Sequence, residues 1–304
     1  MEESARNCHQ EDGYKQNVVR HFTEYPSYWR RIYNVDGRET NMKYQINRRR
    51  NVILRFLDEI SLPEDGQILD VGCGAGGIAN EVLKRGHSVT CIDICRPMLE
   101  LARESASELG YSRSEYLQGD MECLPFKKDS FDIAICAGVL SFLRQDDIGV
   151  SELARVLKPE GMAFITLPNL VRGGDLLDPY YLLRACKLII AKCVKSGIHT
   201  HPAAGLYEPG SFPVRKYVCG QLNKLFRANE LIVRKTVSLG YGPVTIWRRE
   251  ILPEKSEERL NEFLERMADD FFSPLRLFAN HWVVCVQKGA RYSISDGSKG
   301  LLRN

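Results

Sequence analysis

No pair of the ten cysteines has C-x-x-C spacing, no apolar run reaches the roughly 18 residues of a membrane span, and neither sign of charge prevails. Each absence removes a class of protein. The cysteines stand at positions 8, 73, 91, 95, 123, 136, 186, 193, 219 and 285, and several, such as Cys91 and Cys136, lie in apolar runs where a thiol behaves as a small hydrophobe. Neither a metal site nor a disulfide framework is expected from this spacing. Lys and Arg total 42 against 39 Asp and Glu, a formal charge of +3, so nucleic acid is not expected as the principal partner. The opening Met1-Glu2-Glu3-Ser4 is acidic, unlike a secretory leader, and a reducing cytoplasm is the expected compartment. Histidine is sparse, six in all, and none lies near Cys73 in sequence to activate it as a nucleophile.

What is present begins at Ile68-Leu69-Asp70-Val71-Gly72-Cys73-Gly74-Ala75-Gly76-Gly77. An apolar run closing on an acid and opening into glycines is a buried strand that must reverse tightly and pass close to a ligand, which residues without Cβ permit. A helix starting at Gly77-Ile78-Ala79 would turn its free N–H groups back toward that ligand. Gly72, Gly74 and Gly77 also satisfy the G-x-G-x-x-G spacing of dinucleotide sites, so the glycines alone leave the nucleotide open.

The pattern divides the chain into six parts. Residues 1–13 are a polar N-terminus. Residues 14–60 form a cap: an aromatic stretch, 14–40, without a clean period (Phe22, Tyr25, Tyr28, Trp29, Tyr33), followed by a helix over 41–60 whose Met42, Ile46, Ile53, Phe56, Leu57 and Ile60 share one face. Residues 61–168 alternate strand and helix: strands at 67–71, 88–93, 115–118, 131–136 and 162–167, helices at 77–85, 96–109 and 145–157. This is the signature of a doubly wound α/β sheet with its ligand at the carboxyl ends of the strands. An insertion spans 169–215, with a helix over 182–195 that is apolar on one face and basic on the other, then a Pro- and Gly-rich loop. Residues 216–288 resume the pattern with a helix at 216–229, a strand at 231–238, a helix at 254–269 and a strand at 282–287. A polar tail, 289–304, ends the chain.

Asp93 closes the second strand, 21 residues after Gly72. An acid there accepts hydrogen bonds from ribose hydroxyls, in NAD as well as in S-adenosylmethionine. The unit Gln118-Gly119-Asp120-Met121-Glu122-Cys123-Leu124-Pro125-Phe126, followed by Ser130-Phe131-Asp132, separates the two, because a nicotinamide oxidoreductase has no use for this order of residues. Together with Leu69 to Gly74, Ile92-Asp93-Ile94, Pro97-Met98-Leu99 and Glu152-Leu153-Ala154-Arg155-Val156-Leu157-Lys158-Pro159-Glu160-Gly161, these pieces closely resemble the class I S-adenosylmethionine-dependent methyltransferases, in particular the branch of quinone-biosynthesis and small-molecule enzymes. The resemblance spans about residues 65–168.

The resemblance implies a seven-stranded, mostly parallel Rossmann-like sheet with one antiparallel strand near its edge. It implies S-adenosyl-L-methionine as cofactor, with Asp70, Gly72, Cys73 and Gly74 framing the methionine moiety and Asp93 taking the ribose hydroxyls. Ile94 and Met98 would pack on the adenine, Asp120 would accept from its amino group, Met121 would contact the ring, and the Ala137 carbonyl would meet the methionine amine. Many relatives place a histidine shortly after the fourth strand; here the chain reads Gly138-Val139-Leu140-Ser141-Phe142, so a general base is not assigned. His199, His201 and the cap tyrosines are the residues to test for one. One of Arg48, Arg49 and Arg50 could reach the cofactor carboxylate, although a solvated helix face is the simpler reading.

The expected function is methyl transfer to a small lipophilic acceptor, O-methylation ahead of C- or N-methylation, by direct in-line displacement. A nicotinamide oxidoreductase and a non-catalytic scaffold with the cofactor fold are the alternatives. The apolar cap and insertion suit a lipophilic small molecule. The 182–195 helix is expected to serve as a lid, or alternatively to make peripheral contact with a membrane surface.

Overall fold

The computed structural model describes residues 13–24, 41–181, 183, 214–242, 244–247 and 249–290. Helix α1 spans Gly13–Thr23 and α2 spans Asn41–Asp58. The core then runs β1 (Ile68–Val71), α3 (Ala79–Lys84), β2 (Val89–Asp93), α4 (Arg96–Glu108), β3 (Ser114–Gln118), β4 (Phe131–Ala137), α5 (Asp146–Val156) and β5 (Leu157–Pro168). A short α6 (Gly173–Leu177) follows, then α7 (Cys219–Ala228), β6 (Leu231–Leu239), the two-residue strands β7 (Thr245–Ile246) and β8 (Arg249–Glu250), α8 (Glu254–Arg266) and β9 (His281–Lys288).

The main sheet has the order β3-β2-β1-β4-β5-β9-β6. β1 to β5 pair in parallel, and β9 runs antiparallel to both β5 and β6. The expected seven-stranded doubly wound sheet is therefore present, with its antiparallel strand one place in from the edge. Direction reverses between β1 and β4, the switch point at which such sheets bind ligands.

Alternation decides which layer each side chain joins. On one face Ala163, Ile165 and Leu167 of β5 and Trp282, Val284 and Val286 of β9 pack with α5 and α7 residues such as Val150, Leu153 and Phe226. On the other, Phe164, Val283 and Cys285 pack with Ile53, Phe56 and Leu57 of α2. Strands buried on both faces explain the near-continuous apolar runs of the sequence.

The differences from expectation have local causes. The segment from residue 14 carries α1, not an aperiodic cap: Lys15, Val18 and Phe22 fall at i, i+3 and i+7, a stripe with only two apolar members. The strand expected at 162–167 starts at Leu157, because Glu160 (φ 64°) turns the chain and a register shift opposite Phe131 and Ile133 lets Leu157 pair early. The helix expected at 77–85 is confined to Ala79–Lys84, and that expected at 254–269 changes to a π-helical turn after Arg266. Cys123 is disulfide-bonded, against the expectation from spacing, while Cys73, Cys91, Cys95, Cys136, Cys219 and Cys285 are free thiols. The helix expected over 182–195, apart from Leu183, lies outside the described residues, as do His199, His201 and the aromatics from Tyr25 to Tyr33. No helix among the described residues is long and apolar enough to cross a membrane.

Candidate cofactor and acceptor site

The carboxyl ends of β1, β2, β4 and β5 open into one cavity of about 350 Å³, roofed by α1 and α2. Its wall contains Gly72, Gly74, Asp93, Ile94, Met98, Asp120, Met121 and Ala137. Asp70 and Cys73 line an adjoining recess that shares Gly72, Ala137, Ile46 and Arg49 with the main cavity. Eight of the ten residues singled out from the sequence therefore line the main cavity, and Asp70 and Cys73 line the recess beside it. Several came together only through the sheet, since Asp93 and Ala137 flank β1 from opposite sides.

The glycine turn is built for close approach. Gly72 has φ +65°, and a Cβ there would lie 2.2 Å from Cγ2 of Val139, so a side chain is excluded by conformation and by space. Its N–H groups are used differently from the expectation. Gly72 and Cys73 both donate to the carbonyl of Ile92, and Gly74 donates to Oδ2 of Asp93 at 2.9 Å. The turn is thus laced to β2, and α3 begins only at Ala79.

Two acids sit side by side in different states. Asp93 also accepts from the Cys95 N–H at 2.8 Å, and these backbone donors counter the rise in its pKa that burial causes. Asp70 has no such donors. It is buried, its Oδ2 has no hydrogen-bond partner, and burial followed by the neighbouring Asp93 charge pushes its pKa up to about 7. An enclosed carboxyl oxygen beside a cavity, without a donor, fits a cationic group of a ligand.

The third loop is held from behind. Glu152 accepts from the Leu124 N–H at 2.8 Å and from Arg155, whose guanidinium donates to the carbonyls of Phe126 and Leu124 at 2.7 and 2.9 Å. The Glu152 to Gly161 motif therefore includes a clamp on the loop that presents Asp120 and Met121. Asp120 caps that loop by accepting from the Glu122 N–H at 2.9 Å, and it bonds Nζ of Lys15, which also reaches Glu122 at 2.6 Å. Helix α1 thereby closes the cavity, and Phe22 stacks edge-on against Phe142 with ring centroids 5.3 Å apart.

Of the three arginines, the structure separates the roles. Arg48 pairs with Glu265, whereas Arg49 lines the cavity and lies over Gly138, whose Cβ would fall 3.2 Å from the Arg49 Nη1. Sequence reading missed four further wall residues: Lys15, Ser141, Thr166 and His281. Thr166 and His281 lie on the two antiparallel strands β5 and β9, 115 positions apart in the chain, and no spacing rule joins them.

Such a fold, with acids at the ends of the first two strands and a glycine turn between them, defines a doubly wound nucleotide-binding protein. A family model described as a methyltransferase domain matches residues 69–165, the stretch that carries the resemblance to the class I S-adenosylmethionine-dependent methyltransferases. The ubiquinone biosynthesis O-methyltransferase of Paracidovorax citrulli (strain AAC00-1) is 27% identical over 193 residues, covering 63% of this chain and 74% of the relative. The chain spans less than half the length of most of the curated relatives it matches. Among solved structures, the [4+2]-cyclase SpnF superposes with a TM-score of 0.57 at 18% identity, covering 91% of this chain and 97% of that one. The magnesium protoporphyrin IX methyltransferase of Synechocystis PCC 6803, solved with bound SAH, superposes with a TM-score of 0.55 at 16% identity, covering 90% and 100%. These two likenesses concern the fold.

Proposed function

We propose that the protein transfers a methyl group from S-adenosylmethionine to an oxygen of a small, mainly lipophilic acceptor. The observation that carries this reading is the Asp70–Gly72–Asp93 corner, an unpartnered buried carboxyl and a backbone cradle beside a second acid, within the region that matches the methyltransferase domain. The relative named as an O-methyltransferase supports oxygen as the accepting atom.

In this reading Asp93 takes the ribose hydroxyls, Ile94 and Met98 pack on the adenine, and Asp120 and Met121 meet its edge. Gly72, Cys73 and Gly74 frame the methionine portion, Asp70 faces its positive charge, the Ala137 carbonyl meets its amine, and Arg49 faces its carboxylate. When bound, the cofactor would supply an already activated sulfonium methyl, whose displacement by the acceptor oxygen would leave the C–S electron pair on sulfur. The chain's own contribution is alignment, which is worth on the order of 7 to 11 kcal/mol in favourable cases. Helices α1 and α2 exclude water from the strand ends, and Val139, Phe142 and Leu143 give the acceptor side an apolar wall.

Calorimetry with S-adenosylhomocysteine and with NADH tests the cofactor; binding of the first and not the second is expected. Asp93→Ala should lower that affinity by about 1.5 to 3 kcal/mol, the range of a hydrogen bond to a charged group. Incubation with labelled S-adenosylmethionine and a cell extract, followed by mass spectrometry, then identifies the product. Binding of NADH alone would remove the assignment.

A further inference from the structure

Beyond the end of β4, residues 214–217 take that strand's place beside β5. The Tyr217 N–H donates to the Pro168 carbonyl at 3.0 Å, the Leu170 N–H donates to Tyr217 at 2.8 Å, and Asn169 and Tyr217 form a parallel bridge. On the other side of β5, Pro168 pairs with His281. Tyr217 packs into the α5 and α7 layer, so its neighbour Lys216 turns to the opposite face, the face of Pro168, His281 and Thr166. Lys216, Pro168 and His281 thus form a row across three adjacent segments, with Thr166 one step below. Thr166, Pro168, His281 and Val214, two residues before Lys216, all line the cavity.

Three polar groups in this corner have no hydrogen-bond or ion-pair partner among the described residues. The Thr166 side chain is 1% exposed, and its Oγ1 has no hydrogen bond. The enclosed Nδ1 of His281 has none. Lys216 is half-buried and makes no ion pair among the described residues; its acidic neighbour Asp175 is held by both Nε and Nη2 of Arg172. A desolvated cation beside unsatisfied hydrogen-bonding groups is costly unless something negative joins them.

We propose that this corner is an acid-binding subsite: the acceptor carries a carboxylate, its charge set against Lys216 and its oxygens hydrogen-bonded by Thr166 and His281, and the methyl group is placed on that carboxylate. The assignment rests on the methyltransferase reading and adds the chemical class of the acceptor. A carboxylate arrives with its nucleophilic electron pair and loses no proton, so the product ester requires no base. That agrees with the corner's chemistry, since burial, then Arg49, Arg172 and Lys216, push the pKa of His281 down to about 3 and leave it a neutral imidazole.

The test is calorimetry on the protein, with and without S-adenosylhomocysteine, using two matched pairs of probes: octanoate with octan-1-ol, and 4-phenylbutanoate with 4-phenylbutan-1-ol. Each acid should bind about ten-fold tighter than its alcohol, the factor expected of one charge-assisted contact. Lys216→Met should bring the pair to near equality, Lys216→Arg should keep the preference, and Lys224→Met, at an exposed site on α7, should leave it unchanged. Acids that bind no better than alcohols, or a preference that survives in Lys216→Met, overturn the subsite. Failure of the two readings is distinguishable: a protein that binds S-adenosylhomocysteine without preferring acids loses the subsite alone, and one that prefers acids but binds no S-adenosylhomocysteine loses the methyltransferase reading alone.

Discussion

Asp70 and Asp93 show how far two identical side chains diverge through their neighbours. Asp93 keeps backbone donors from both Gly74 and Cys95, whereas Asp70 has an enclosed oxygen with no donor and a pKa pushed up to about 7. Because the folded pKa lies above the ordinary 3.8, the folded protein holds a proton that the unfolded chain has lost. Asp70 therefore favours the fold at low pH, and this contribution is lost as pH rises through about 7. A cationic ligand reverses the preference, since it binds the ionised form. S-adenosylmethionine affinity should rise by up to about ten-fold per pH unit below that pKa and level off above it, and Asp70→Asn should flatten the curve. Calorimetry between about pH 6 and pH 8 reads the slope; an unchanged slope in Asp70→Asn would remove Asp70 from the site.

At the scale of elements, much of the architecture is legible in the amino-acid sequence. The strands at Ile68–Val71 and Val89–Asp93 fall within a residue of expectation, because strands buried by layers on both sides give short apolar runs closed by polar turns, and the edge strand Ser114–Gln118, none of whose residues is buried, falls equally close. Helix α1 was not legible, since its inward stripe includes Lys15, which a hydrophobic pattern does not count. Nor was the acceptor corner, because Thr166, Lys216 and His281 meet through register between β5, β9 and an extended segment. The clamp from Glu152 and Arg155 had been visible as a motif without a purpose; its contacts to Leu124 and Phe126 supply one. The glycine turn yields the sharpest element-level test. Gly72→Ala must place Cβ 2.2 Å from Val139 at φ +65°, so either β1 or the Val139 loop has to move. Loss of S-adenosylhomocysteine binding by at least about ten-fold is expected in a protein that still unfolds cooperatively; retention of parental affinity would mean the turn is not the cradle.

Two links hold the whole molecule together across the sequence. One is the ion pair of Arg48 on α2 with Glu265 on α8, whose Oε1 also accepts from the Gly240 N–H at 2.9 Å. Glu265 is 5% exposed, so Arg48→Met strands a buried carboxylate and should destabilise by about 3 kcal/mol, while the double variant with Glu265→Leu should recover much of that loss. Chemical denaturation of the parent, the two single variants and the double variant reads both terms, and additive losses would deny the coupling.

The second link is β9, which comes from the far end of the chain and enters the sheet between β5 and β6. All the motifs of the methyltransferase resemblance lie before Pro168, so sequence similarity alone would nominate residues 61–168 as a self-sufficient cofactor domain. The sheet argues otherwise. From Met162 to Pro168, every residue of β5 pairs with β9, and Phe164, Ile165 and Leu167 are fully buried between layers that include Trp282, Val283 and Val284. Removing the C-terminal part leaves β5 as a long apolar edge strand with unpaired N–H and C=O groups, a template for association with other chains. A fragment of residues 61–168 should therefore aggregate and bind no S-adenosylhomocysteine, although it carries every residue proposed for the adenosine. Size-exclusion chromatography and calorimetry on the fragment decide the matter: a monomer that unfolds cooperatively and binds S-adenosylhomocysteine as the full chain does would show that β9 serves the acceptor side alone.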